Sequence, residues 1–202
     1  MKAIRALGLG VIVLNTAALA GTELDHPAPG TSVVRFTELD SNVYKGSKPK
    51  NDADYAFLQS KHVKYILNLR FLPLLSRPEQ RKARKYGMTY VSVYINASPL
   101  SPSEKHVAKI LEFLHDPCYQ PIYFHCDIGR DRTSLIATLY RMYYGGLAPE
   151  DAWKEMKDYG FKDSWTLLGL KKYLNKHPKA PASLATMHHA CTTVQPQVSE
   201  IK

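Results

Sequence analysis

Short apolar segments, each typical of a buried strand, alternate along this chain with longer segments whose apolar residues follow helical spacing. The segments 65–69 and 121–124 are compact and apolar, as expected for strands that are buried on both faces. Between them, the segment from Val107 to Leu114 has apolar residues at helical spacing. This alternation predicts an α/β fold with a central, mostly parallel sheet of about 4–5 strands flanked by helices. In such folds, ligands bind beyond the carboxyl ends of the strands.

The ends of several helices can be predicted from single residues. Asn51 is a suitable N-cap for a helix that runs to about Lys61. Two S-x-x-E capping boxes, which start at Ser76 and Ser101, predict the first residues of two more helices, and Gly87 ends the first of these. Further helices are predicted at about 132–144, 149–159 and 164–174, and strands at 33–37, 42–44, 65–69, 88–95 and 121–124.

The first twenty residues have the layout of a cleavable secretory signal. Lys2 and Arg5 precede an uncharged apolar run at 6–14, and small residues lead up to a cleavage site after Ala20. The alternative is a membrane anchor, for which the apolar run is short. We therefore expect a secreted or periplasmic protein without stable membrane insertion. The predicted units are the signal at 1–20, a lead-in at 21–34, one folded domain at 35–177 and an irregular tail at 178–202.

The formal net charge of +9 favours an anionic partner. Nucleic acid is not indicated, because the sequence has no basic stripe interleaved with aromatic residues. The sequence makes no prediction of the oligomeric state.

The segment HCDIGRDRT, residues 125–133, carries the chemistry of the chain, because it lies between a predicted buried strand and a predicted helix. Its backbone N–H groups can surround one tetrahedral oxyanion, and the helix N-terminus adds partial positive charge. Glycine at position 129 allows a backbone angle that a side chain would resist. Arg132, six residues after Cys126, can hold two phosphate oxygens with its planar guanidinium. The predicted oxyanion-binding residues of this loop are Asp127, Ile128, Gly129 and Arg130.

The same positive field makes Cys126 a candidate thiolate nucleophile near neutral pH. Thr133 can donate its hydroxyl to the sulfur and so stabilise it as a leaving group. The alternative is a buried structural cysteine beside a solvated arginine. The combined spacing of Cys, Gly, Arg and Thr argues against that alternative, because it rarely arises by chance.

This segment resembles the HCxxGxxR[ST] signature of the cysteine-dependent phosphatases, the protein-tyrosine and dual-specificity group. The resemblance covers about residues 35–175, and the segments 42–49 and 68–70 and the loop before Ser101 resemble the atypical dual-specificity and phytase-like branches. It implies a protein-tyrosine-phosphatase-like fold and a cysteinyl-phosphate intermediate that water hydrolyses. It also implies catalysis without a metal or other cofactor.

The general acid departs from the family pattern. The family uses an aspartate from a loop upstream of the cysteine, but the matching segment 96–102 has no carboxylate, and Asn96 stands at the expected position. An alkoxide leaves poorly without a proton, so another acid is needed. Asp131 is the best candidate, similar to the Asp-Arg-Thr of myotubularin-like and Sac-like lipid phosphatases. The alternative role for Asp131 is to order the loop, and Asp127 is the second candidate acid.

The predicted substrate is a small polyanionic phosphate ester, and an inositol polyphosphate is favoured. Arg130, Lys48 and Arg70 would lie at the rim of the loop, where extra cations suit neighbouring phosphates. Lys45, Lys48 and Lys50 are predicted to form one basic cluster, whereas the basic residues of 77–85 are predicted to be a solvated helix face.

Two other functions stay open. One is a secreted protein-tyrosine or dual-specificity phosphatase, whose aromatic pocket wall could come from Tyr44, Phe71 or Tyr94. The other is a phosphate-binding module without catalysis. Export also affects how the 3 cysteines are interpreted, because an odd count indicates one bridge and one free thiol. With Cys126 free, the remaining candidates are Cys118 and Cys191, either bridged or both reduced.

Overall fold

The computed structural model describes residues 26–70, 73–96, 98, 100–181 and 184. Its centre is a five-stranded sheet with the order β1-β2-β5-β3-β4. The β1–β2 pair is antiparallel, and the pairs β2–β5, β5–β3 and β3–β4 are parallel. The predicted mostly parallel α/β sheet is confirmed. The strands are β1 (Thr37–Asp40), β2 (Val43–Gly46), β3 (Tyr65–Asn68), β4 (Thr89–Ser92) and β5 (Ile122–His125).

Helices cover both faces of the sheet. The helices are α1 (Asp52–Ser60), α2 (Pro73–Lys85), α3 (Glu104–His115), α4 (Asp131–Tyr144), α5 (Ala152–Asp158) and α6 (Leu168–Lys176), with short 3₁₀ turns at Pro117–Tyr119 and Trp165–Leu167. One buried cluster joins the sheet to α3, α4, α5 and α6. A second, smaller cluster joins the opposite face to α1 and α2. The apolar side chains that the sequence places on one face of α3, from Val107 to Leu114, are all buried.

The start of α1 follows the sequence closely. The side chain of Asn51 accepts a hydrogen bond from the backbone N–H of Asp54, and the Asp54 carboxylate accepts one from the Asn51 N–H. This reciprocal pair satisfies two of the backbone donors that a helix N-terminus leaves without partners. The predicted helix start is confirmed.

Both predicted S-x-x-E capping boxes are wrong. Helix α2 begins at Pro73, so Ser76 lies inside it. A proline is well suited to the first helical position, which explains the earlier start. Helix α3 begins at Glu104 with Ser103 as its N-cap, and that serine makes no side-chain capping bond. Pro102 would suit the first helical position, but it lies before the helix, which begins two residues later.

The strand predicted at 33–37 is also wrong in its position. Val34 forms an isolated bridge with Pro27, and Arg35 has a φ of +56°. A residue in this left-handed region cannot continue a strand, so β1 starts only at Thr37.

The predicted signal at 1–20 and most of the predicted tail lie outside the described residues. Within the tail, Leu184 is described and is buried against the larger core cluster. Among the described residues, no helix combines the length and the apolar character needed to cross a membrane. Cys118 is disulfide-bonded and Cys126 is a free thiol, whereas Cys191 lies outside the described residues.

Candidate active site

The segment 126–130 forms a loop between β5 and α4, at the carboxyl edge of the sheet. Its strand, β5, is the central one and pairs with β2 and β3. Gly46, Asn68 and His125 are register partners, so the three strands end level with each other. The residues that follow them must therefore meet at one place. The predicted position of the loop, between a buried strand and a helix, is confirmed.

Gly129 is required at its position for two separate reasons. Its φ is +69°, a conformation that residues with side chains rarely adopt. A Cβ added there would lie 2.5 Å from the carbonyl carbon of Gly46 and 2.7 Å from the backbone nitrogen of Ser47. The loop 126–130 therefore rests directly on the backbone that follows β2.

Several hydrogen-bond donors of the loop lack an acceptor in the described part of the protein. Outside the regular hydrogen bonds of helices and strands, the backbone N–H groups of residues 127–132 have no described backbone acceptor. Among the described residues, Arg132 Nε and Thr133 Oγ1 are buried without a hydrogen-bond partner. Cys126 is itself buried, with an exposed fraction of 1%. This set of donors, at the N-terminus of α4, is suited to hold a tetrahedral anion over the sulfur.

Glu79 is a residue of this site that the sequence prediction missed. Its buried carboxylate lies 2.6 Å from Arg70 Nη2, 2.9 Å from His125 Nε2 and 3.8 Å from Lys48 Nζ. The capping-box interpretation assigned this carboxylate to a helix end. The only sequence signal for its real role is its spacing from Ser76 and Ala83, which places it on the buried face of α2.

The environment of Glu79 favours its charged form. Burial alone raises the pKa of Glu79, but His125, Arg70 and Lys48 together outweigh this effect, and the net pKa is below its ordinary value. The second ring nitrogen of His125, Nδ1, lies 2.7 Å from the carbonyl oxygen of Cys126. Glu79 thus contacts the histidine that precedes the cysteine, and the same histidine contacts the backbone carbonyl of Cys126.

Lys48 and Arg70, the two rim residues predicted outside the loop, both contact Asp127. Arg70 Nη1 donates to the Asp127 carboxylate at 3.1 Å, and the backbone N–H of Lys48 donates to the Asp127 carbonyl at 3.0 Å. The Asp127 side chain is itself 64% exposed. The predicted basic cluster of three lysines is wrong, because Lys45 is fully buried behind the loop while Lys50 is exposed at the start of α1.

Arg130 and Asp131 form a bidentate ion pair. Arg130 Nε donates to Asp131 Oδ1 at 2.9 Å, and Nη2 donates to Oδ2 at 3.3 Å. Both side chains are partly exposed at the start of α4. The predicted rim cation, Arg130, and the predicted general acid, Asp131, are thus direct partners. The sequence does not predict this pairing.

Two further cations interact with residues of the loop, and the sequence predicts a loop contact for neither. Arg35 Nη1 donates to the Ile128 carbonyl at 2.9 Å. Lys45, on β2, has its ammonium 4.1 Å from the centre of the Tyr159 ring. Both residues lie far from the loop in sequence, so only the fold brings them to it.

The segment predicted to lack the usual acid has a local structure of its own. Asn96 Oδ1 accepts a hydrogen bond from the backbone N–H of Ser98 at 3.1 Å, and Tyr94 donates to the same oxygen. Among the aromatic residues suggested for a pocket wall, Tyr44 is buried in the smaller core cluster and Tyr94 is 39% exposed. Phe71 lies outside the described residues.

A family model described as a dual-specificity/protein-tyrosine phosphatase (DSP-PTPase) fused to NAD⁺ kinase matches residues 30–165, about two thirds of the chain. The chain belongs to this phosphatase family. The resemblance carried by HCDIGRDRT is therefore confirmed at the level of the cysteine-dependent phosphatases. No curated protein matches the sequence significantly.

Solved structures with the same fold include three informative neighbours. The catalytic core of the PP-IP phosphatase Siw14 from S. cerevisiae, in complex with citrate, is 20% identical with a TM-score of 0.59, covering 69% of this chain and 83% of its own. TpbA from P. aeruginosa is 21% identical with a TM-score of 0.58, covering 75% and 88%. PTPMT1 in complex with PI(5)P is 16% identical with a TM-score of 0.53, covering 70% and 95%. At these identities the likeness shows the shared fold.

Proposed function

We propose that this protein hydrolyses phosphate monoesters through a phosphocysteine at Cys126, and that its substrates are inositol polyphosphates. The observation that carries the proposal is that the Lys48 ammonium and the Arg70 guanidinium meet at Glu79, and that Arg70 also donates to Asp127 in the loop of Cys126. A loop for one phosphate already has its own donors in Arg132 and the backbone. Additional cations at its edge suit a substrate with neighbouring phosphates.

In the first step, the Cys126 thiolate attacks phosphorus. The S–P bond forms while the P–O ester bond breaks, and the leaving oxygen takes a proton from Asp131. Arg132 and the N–H groups of the loop stabilise the charge on the transferred phosphoryl group. A neighbouring phosphate of the substrate competes with Asp131 for Arg130, which separates the ion pair and leaves the Asp131 carboxyl available to the leaving group.

In the second step, water attacks the phosphorus of the phosphocysteine. Asp131 takes the proton of the water, the S–P bond breaks, and inorganic phosphate is released. The Thr133 hydroxyl donates to the sulfur as it leaves. The step restores the thiolate and the protonated Asp131, so the cycle balances without a further reactant.

The substrate class has support from two directions. One solved neighbour is described as a PP-IP phosphatase and another is bound to PI(5)P, so related folds accept phosphorylated inositols. In this chain, one of the three residues suggested for the aromatic wall of a phosphotyrosine pocket, Tyr44, is buried in the core. TpbA has been solved with pTyr, so a phosphotyrosine peptide is the comparison substrate.

The test is phosphate release by the purified protein from inositol hexakisphosphate and from phosphotyrosine peptides. We expect faster release from the inositol phosphate, and Cys126→Ser should bind it without releasing phosphate. Lys48→Gln should raise KM for inositol hexakisphosphate more than for a simple aryl phosphate. Lys64→Gln is the matched control, because Lys64 is exposed just before the amino end of β3, away from the loop.

Each other result assigns a different function. Preference for the phosphotyrosine peptides would transfer the substrate assignment to the protein-phosphatase alternative while keeping Cys126 as nucleophile. Turnover by Cys126→Ser would reject the mechanism. Tight phosphate binding without release from any ester by the unmodified protein would identify a binding module.

We also propose that the protein is exported. The supporting features are the basic start and apolar run of residues 1–20, together with the disulfide bond of Cys118, since such bonds persist in oxidising compartments. N-terminal sequencing of protein from the cell exterior or periplasm should give a chain that starts at Gly21. Retention of the uncleaved chain in the cytoplasm would reject this proposal.

A further inference from the structure

Lys45 is a buried cation that the steps above do not use. Its side chain is 0% exposed, and among the described residues its ammonium has no hydrogen-bond partner. The ammonium lies over the face of the Tyr159 ring, 4.1 Å from its centre. A buried ammonium without a hydrogen-bond partner is costly, so an interaction that offsets the cost is expected.

The strand register places Lys45 on the same side of the sheet as the nucleophile. Lys45 pairs with Phe124 across β2 and β5, and side chains alternate along a strand. Val43, two residues before Lys45, shares the larger core cluster with Phe124 and Cys126. The neighbouring Tyr44 belongs to the cluster on the other face. Lys45 therefore lies on the Cys126 face, directly before the backbone on which the phosphate-binding loop rests.

The charges around Lys45 come from three elements. Arg35, in the segment before β1, opposes its positive charge. Cys126, in the loop after β5, and Glu155, on α5, favour it. Tyr159 packs on the ammonium from the end of α5, and Glu155 is itself 3.5 Å from Arg141 of α4. Of these groups, Cys126 and Glu155 both favour the charged form of the ammonium.

We infer that Lys45 is a positioning residue whose buried ammonium stabilises the thiolate of Cys126 from beneath the loop. The inference rests on the proposed function only in taking Cys126 as the nucleophile. Lys45 does not touch the phosphoryl group, which the loop N–H groups and Arg132 would hold from above. It acts through the charge of the sulfur.

The titration of Lys45 supports a consequence for pH dependence. Burial, followed by Arg35, lowers the pKa of Lys45 to about 7, although Cys126 and Glu155 act in the opposite direction. The ammonium is therefore present below about pH 7 and is lost as the pH rises. Because electrostatic coupling is reciprocal, the thiolate favours the ammonium as much as the ammonium favours the thiolate. Activity should fall on the alkaline side as Lys45 loses its proton.

The first test uses the intact protein and follows the lysine ammonium groups by ¹⁵N NMR against pH. We expect one lysine to titrate near pH 7, and Lys45→Met should remove its signal. In Cys126→Ser, the titration midpoint of Lys45 should fall. A tenfold coupling between Lys45 and Cys126 corresponds to a fall of roughly one pH unit. A midpoint that is the same in both proteins would overturn the inference.

The second test measures the rate at which iodoacetamide alkylates Cys126, counted on the peptide that contains it. At pH 6.5, Lys45→Met should slow this reaction about tenfold. This factor corresponds to an interaction between Lys45 and Cys126 of about one pH unit. Lys45→Arg should restore the alkylation rate at pH 6.5. Because arginine stays charged, this variant should also retain its alkylation rate and its phosphatase activity at alkaline pH. Lys64→Met is the control.

A purely structural role gives a different pattern. Methionine fills a similar volume, so a structural Lys45 would leave the alkylation profile of Lys45→Met unchanged, and that result would overturn the inference. Both tests work without turnover. Coupling between Lys45 and Cys126 in a protein that hydrolyses no ester would reject the proposed function alone, whereas full activity without coupling would reject this inference alone.

Discussion

Replacing Glu79 by glutamine should destabilise the fold by about 3 kcal/mol at neutral pH. The carboxylate is 2% exposed and lies 2.6 Å from the Arg70 guanidinium and 2.9 Å from the His125 ring nitrogen Nε2. Breaking one partner of a buried ion pair costs about 3–5 kcal/mol. We expect the lower end, because the Arg70 side chain is partly exposed and water can replace its partner. His125 is fully buried, and the amide of glutamine would turn either a weaker acceptor or an unfavourable donor towards it.

The pH dependence of this cost has a definite sign. The folded-state pKa of Glu79 is below its ordinary value, so the stabilisation is present above about pH 4.5 and is lost as the pH falls through the folded pKa. Urea unfolding of the unmodified protein and Glu79→Gln should therefore give curves that differ at neutral pH and approach each other in acid. Glu150→Gln, at an exposed position, is the control.

Two results would refute this reasoning. One is a difference below about 1 kcal/mol at neutral pH, which is the range of a surface ion pair. The other is a difference that keeps its full size into acid, which would mean that the cost arises from packing and not from the charge of Glu79.

Two further predictions concern the loop. Gly129→Ala should cost clearly more stability than Gly87→Ala, whose cost is about 1 kcal/mol. Both positions have positive φ, but a Cβ at 129 meets the backbone of Gly46 and one at 87 meets nothing within 4 Å. Equal costs in chemical denaturation would show that the close approach is unimportant. Asp131→Asn should lower kcat/KM, which reports the first step, far more for alkyl phosphates than for aryl phosphates, whose leaving groups need less protonation. An equal loss of kcat/KM for both ester types would assign Asp131 to loop structure alone.

The parts of the fold that depend on local sequence could be predicted. The alternation of apolar segments indicates the parallel sheet, and Asn51 with Asp54 indicates the first helix, because these signals act within a few residues. Gly129 could be predicted as a special position from its place in the loop. The close contact of Gly129 with the backbone after Gly46 could not be predicted, because it joins segments more than eighty residues apart.

The residues that were missed are those whose partners lie on other elements. Glu79 fits a capping box as well as it fits a buried ion-pair network, and only the packing of α2 on the sheet decides between them. Lys45 belongs to a lysine-rich stretch and is typical of a solvated segment. Its burial follows from the strand alternation shared with Val43, which is a signal in the sequence that could have been used.

Trapping the covalent intermediate tests the nucleophile assignment most directly. Asp131→Asn should form the phosphocysteine with an aryl phosphate and hydrolyse it slowly, because the variant lacks the group that activates water. Rapid quenching followed by peptide mass spectrometry should then find phosphate on Cys126. Phosphate on a different side chain, or turnover with no phosphorylated peptide under any quench, would contradict the assignment.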